Sequence, residues 1–159
     1  MAENKPHKVR IRFPGDLEYI PSIRKFVSDL LQENKFGSKC SFRSEIIIDE
    51  ICNNAVTHGC KNADSQIEVL CFIYEDRIEF QVKDSGGTDE NLKKLRAAVS
   101  KKEERPDVET EARAAGMGLE IVRLLSEHVK VEIDDNNLTS IHVVRRREDS
   151  PKPEANVTR

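Results

Sequence analysis

Apolar and basic residues alternate through Val9-Arg10-Ile11-Arg12-Phe13, the period-two pattern of a half-buried strand, and Pro14-Gly15 ends the run. The period then lengthens. Leu17, Ile20, Ile23, Val27, Leu30 and Leu31 recur at helical spacing behind a possible cap at Asp16, with Pro21 placing the true helix start at or near itself. Asn34 to Ser38 reads as a loop. A second helix is expected from about Ser41 to His58, with Ser41 or Ser44 as its cap. Its buried stripe would be Ile47, Ile48, Ile51, Cys52 and Ala55, and Gly59 is placed to stop it. Gln66 to Tyr74 and Arg77 to Lys83 are strand-like runs separated by Glu75-Asp76, a hairpin spacing. From Ser85 to Ala115 the chain turns polar and irregular, as a functional lid does. Leu119, Val122, Leu124 and Leu125 restore the helical period behind Gly116-Met117-Gly118. Val129 to Ile133 and Ile141 to Val144 then alternate as two strands across a turn at Asp134 to Asn137.

Adjacent strands at both ends of this order favour antiparallel pairing. The expected class is α+β, a two-layer sandwich of a mixed, mainly antiparallel sheet with helices on one face. The other face must be partly polar or covered by a partner. The 159 residues suit one domain, read as 1–147, with a disordered Pro- and charge-containing tail at 148–159.

Composition narrows the function. The net charge of −3 disfavours a broad nucleic-acid footprint, and Arg145-Arg146-Arg147 reads as a strand end with a solvated flank. No apolar run reaches the roughly 20 residues of a membrane span, and the first residues lack a signal-peptide pattern, so a cytoplasmic protein is expected. Cys40, Cys52, Cys60 and Cys71 include no C-x-x-C pair, which argues against zinc, and disulfides are not expected.

Three segments carry candidate chemistry. Glu50 and Asn54 stand four apart, so a helix stacks them on one face, and His58 extends the stripe. Their oxygens suit Mg²⁺ shared with phosphates, or the carboxylate can accept a proton; a solvated polar stripe is the plain alternative. Asp84, ending a strand, can accept a hydrogen bond from an exocyclic amine, and Gly86-Gly87 lets a flat ring approach; an ordinary turn has the same composition. Gly116 and Gly118 open a helix whose main-chain amides can meet phosphate, although no dinucleotide fingerprint or phosphate loop is present.

Taken together and in this order, the segments resemble the GHKL superfamily of histidine-kinase-like, Bergerat-fold ATPases, and within it the anti-sigma-factor serine/threonine kinases. The resemblance runs from about Val9 to Arg145. It implies ATP and Mg²⁺ as cofactors. Asn54 matches the asparagine that holds Mg²⁺ against the phosphates, and Glu50 the base toward the attacking hydroxyl. His58 follows in the family-like His58-Gly59 pair on the nucleotide side. Asp84 matches the aspartate that recognises the adenine amino group, with Gly86 and Gly87 beside it. Gly116, Met117, Gly118 and Leu119 match the phosphate-side segment, and Thr139 a threonine near the adenine. The implied partners are a sigma factor, which is sequestered, and a STAS-domain anti-anti-sigma protein, which is phosphorylated; the implied assembly is a homodimer. The chain departs from the pattern at Thr88, where a second glycine is usual, and at Leu138, where a glycine commonly precedes Thr139. Ala114 occupies the place of an arginine found in some members, and Arg113, one place earlier, is assigned its catalytic role. The alternative is a nucleotide-regulated binding module without kinase activity.

Overall fold

The computed structural model of the protein describes residues 4–60, 64–84, 119–133 and 138–147. Its strands are β1 (His7–Pro14), β2 (Gln66–Ile73), β3 (Arg77–Asp84), β4 (His128–Ile133) and β5 (Thr139–Arg146). Its helices are α1 (Ile20–Glu33), α2 (Ser38–Gly59) and α3 (Leu119–Leu125). The sheet order is β1-β2-β3-β5-β4, and every pairing is antiparallel. The α+β two-layer expectation is met, with element order as read from the periodicity. The expected lid, both glycine segments and the tail lie outside the described residues, apart from Asp84 and Leu119.

One face of the sheet is apolar and meets the helices. Phe13, Ile67, Val69, Cys71, Ile78, Phe80, Val82, Ile141 and Val143 point into a single cluster. Ile20, Val27 and Leu31 of α1, Ile47, Ile48, Ile51, Cys52 and Ala55 of α2, and Leu119 and Val122 of α3 fill it from the other side. Each such aliphatic side chain removed from water contributes about 1.5–3 kcal/mol, enough in sum to hold the layers together. Cys40, Cys52 and Cys71 are buried free thiols in or beside this core. Burial pushes the Cys71 thiol up to about 12, so it stays protonated.

Local chemistry explains the helix ends. The Asp16 carboxylate accepts from the Glu18 amide at 2.9 Å and opens a short 3₁₀ turn, Leu17–Tyr19, before α1 begins. Leu17 falls in that turn and is half exposed, not on the buried stripe. The second helix starts earlier than expected, at Ser38 behind Gly37, with no side-chain cap. Ser41 and Ser44 are therefore buried within it. The reason is position: α2 is the central helix, packed against the sheet, α1 and α3, so small polar residues there allow close approach. Leu124 is also corrected. It is 78% exposed, on the side of α3 opposite the inward-facing Leu119, Ile121 and Val122.

The basic triplet ends β5 as expected, but of its three side chains only Arg146 is solvated. Arg145 is buried and donates to the Leu125 carbonyl at the end of α3. Arg147 donates to the carbonyls of Glu75 at 2.9 Å, Lys35 at 2.7 Å and Asn34 at 3.1 Å, with its guanidinium 3.9 Å over the Phe36 ring. It thus ties the hairpin turn to the α1–α2 loop. Charge counting alone misses this because the acceptors are main-chain carbonyls.

The outer face of the sheet is polar. Arg12 donates to Glu68 at 2.9 Å, and Arg10 lies 3.7 Å from the same carboxylate. The Arg12 hydrogen bond holds the Glu68 carboxyl below the usual glutamate range, with the Arg10 and Lys83 charges adding to it. A depressed folded-state pKa contributes stability above the ordinary glutamate value and loses it as pH falls. Glu68→Gln should therefore cost about 0.2–1 kcal/mol at pH 7, the scale of an exposed pair. The deficit should close on acidification below the ordinary glutamate range, as read by urea unfolding at a series of pH values.

Candidate nucleotide site

The described residues of the three segments singled out in the sequence, Glu50 to His58, Asp84 and Leu119, lie on elements that meet at one end of the sheet. Glu50, Asn54 and His58 occupy successive turns of α2, as their spacing requires. Glu50 and His58 are half-buried. Asn54 is 8% exposed, and its carboxamide makes no hydrogen bond to any described residue. The neighbouring polar groups are otherwise engaged. Asn53 donates to the Asp49 carbonyl at 2.6 Å, and the Asp49 carboxylate accepts from Arg24 of α1 at 3.2 Å. On one helix, then, the amide at 53 serves the backbone and the amide at 54 remains available.

Asp84 closes β3 and turns inward beside the core, only 7% exposed. Its cross-strand partner on β5 is Thr139, also buried at 3%. The last residue of α2 touches it directly. A Cβ added to Gly59 would fall inside van der Waals contact of the Asp84 carboxyl carbon and both its oxygens. The end of the Asn54 helix and the end of the Asp84 strand therefore share one spot. Leu119 of α3 is buried at 1%, and α3 packs against α2. Asn54, Asp84, Thr139 and the start of α3 are thus gathered around α2 and the Asp84 end of the sheet. Arg113, Gly86, Gly87, Gly116, Met117 and Gly118 lie outside the described residues.

Sequence reasoning missed part of this. Gly59 reads as a helix stop, yet its lack of a side chain is what admits the Asp84 carboxylate. No spacing rule links positions 59 and 84; only the fold does. A separate cavity of about 250 Å³ lies between Lys5, His7, Asn34, Tyr74, Glu75 and Arg147, at the opposite end of the sheet, and none of the expected site residues lines it. Among the described residues no three His, Cys, Asp or Glu side chains cluster as a metal cage. No described helix is long and apolar enough to cross a membrane.

Comparison with known proteins agrees with this geometry. Residues 13–144 match the family model of the histidine kinase-like ATPase domain. The chain is 27% identical over 131 residues to the serine-protein kinase RsbW of Bacillus mycoides, covering 82% of this chain and 81% of that protein. It is 29% identical over 129 residues to the serine-protein kinase RsbW of Listeria monocytogenes, covering 80% and 81% respectively. A crystal structure of the RsbU and RsbW domains of a Mycobacterium tuberculosis protein superposes with a TM-score of 0.63 at 15% identity. That match covers 88% of this chain but 32% of the larger one, and it speaks to the fold. With its α+β layers, its Asn54 helix against the Asp84 strand end, and a family match spanning most of its length, the chain belongs to the histidine kinase-like ATPase family, among relatives that are serine-protein kinases.

Proposed function

We propose that the chain is an ATP-dependent protein serine/threonine kinase that sequesters a sigma factor and phosphorylates a STAS-domain anti-anti-sigma protein, acting as a homodimer in the cytoplasm. The observation that best supports this is Asn54, a largely buried residue whose amide makes no hydrogen bond among the described residues, one turn from Glu50. Its carbonyl oxygen is a hard donor of the kind Mg²⁺ takes alongside phosphate and water. Bound magnesium and ATP would supply the transferable phosphoryl group and neutralise its charge.

In this reading Glu50 accepts the proton of the attacking hydroxyl from a half-buried position open to a partner. Asp84 accepts a hydrogen bond from the adenine amino group, with Thr139 beside it and His58 on the same side. Main-chain amides from Gly116 through Met117 and Gly118 to Leu119 cradle the phosphates. Gly86 and Gly87 let the ring lie close to the backbone, and Arg113 reaches toward the transferring group. Phosphoryl transfer depends mainly on such positioning and charge stabilisation.

The test has two arms. Calorimetry should give saturable heat with ATP that requires magnesium. Labelled ATP should then place label on a serine or threonine of a STAS-domain protein from the same organism. No heat with ATP defeats the reading. Heat without label on such partners replaces it with a nucleotide-regulated binding module.

A further inference from the structure

We infer that Cys60, seated against Gly15, is a positioning residue that fixes the last turn of α2 and through it the Asp84 carboxylate; the inference rests on Asp84 reading the adenine amino group. Two bare Cα positions interlock at this end of the sheet. Gly59 admits the Asp84 carboxylate, and the next residue, Cys60, directs its sulfur onto Gly15, where β1 ends. A Cβ on Gly15 would overlap the Cys60 sulfur and lie 3.3 Å from the Cys60 Cβ and 3.2 Å from the Ser65 carbonyl oxygen.

Neither side of that contact is loose. The Gly15 amide donates to the Ser65 carbonyl at 2.8 Å, where Ser65 enters β2. The Cys60 thiol donates to the Ala55 carbonyl at 3.6 Å, holding it to its own helix. Burial, with the nearby Asp84 carboxylate, pushes this thiol up, which places the two groups within reach of each other's field. The last turn of α2 is therefore held between the ends of β1 and β2 on one side and of β3 on the other. A shift of that turn moves Gly59, and Gly59 borders the carboxylate directly.

The pair also has a volume logic. The sulfur of Cys60 occupies the space that a side chain at position 15 would claim. Adding a methyl at 15 overfills the contact, and removing the sulfur at 60 empties it. Doing both returns the contact close to its original volume.

The experiment compares affinities for ATP and inosine triphosphate, whose ring carries a carbonyl in place of the amino group. The wild type should prefer ATP. Gly15→Ala should lower the ATP-to-inosine-triphosphate affinity ratio by about tenfold, the scale of one lost hydrogen bond. Cys60→Gly, which removes the anchor without overfilling, should lower it by about threefold or more. The double variant Gly15→Ala/Cys60→Gly should recover to within about threefold of wild type, a coupling that independent sites do not show. An unchanged ratio in both single variants overturns the inference, even if their melting temperatures fall. So does a double variant no better than the worse single one. A wild type that binds both nucleotides equally removes the adenine role of Asp84 itself, and this inference with it.

Discussion

Glu50→Ala should bind Mg·ATP within about twofold of wild type and lose phosphoryl transfer by about 10²–10⁴-fold, the range supplied by one positioned proton acceptor. The separation of the two effects is the point. Glu50 sits half-buried on a helix held by Ile47, Ile48 and Ile51, all fully buried, so truncating it should leave the fold intact. A group that acts only while the proton moves lowers turnover and leaves ground-state binding alone. Asp49 is the proper control. It is adjacent and acidic, but its carboxylate faces α1 and is paired to Arg24. Asp49→Ala should cost less than about 1 kcal/mol of stability and leave transfer within about threefold. If Glu50→Ala transfers as wild type does, the hydroxyl proton leaves by another route. If Asp49→Ala is the dead variant, the helix face has been misassigned.

The sequence could reveal that distinction only in part. Helical spacing stacks Glu50, Asn54 and His58, because 3.6 residues per turn is a local property of the backbone. It also located β3, whose alternating Ile78, Phe80 and Val82 end at Asp84 on the same inward face. Local rules fail where the controlling contact is distant. Ser41 and Ser44 carry a cap signal, yet α2 runs past them because neighbours on several sides stabilise an uncapped start. Leu124 is apolar inside a helical run, yet it falls on the face of α3 turned away from the core. Arg147 looks like solvated charge, yet three carbonyls from two loops receive it. The same holds at the site. The acid, the amide and the glycines are visible one by one. That Gly59 is bare for the sake of Asp84, and Gly15 for the sake of Cys60, follows only once α2 is laid across the sheet end.

Asn54→Ala should weaken magnesium-dependent ATP binding by about 10–100-fold or more, since even outer-shell changes at a metal site cost that much. Its effect on the nucleotide-free protein should be small. The Asn54 amide makes no hydrogen bond to any described residue, so replacing it costs the empty fold little beyond the small cavity left behind. The melting temperature without ligand should therefore stay close to that of the wild type. Ligand-dependent stabilisation should collapse. At a concentration 100 times the wild-type Kd, binding adds about 2.7 kcal/mol to the wild type; with affinity 100-fold weaker the same concentration adds only about 0.4 kcal/mol. The two proteins should thus diverge only with ligand: the variant is close to wild type alone and falls well below it in Mg·ATP. A purely structural asparagine gives the reverse pattern, lower stability without nucleotide and an undiminished shift with it. That result would take the metal role away from Asn54, because a residue that acts through the bound ligand shows its effect on stability only when the ligand is present.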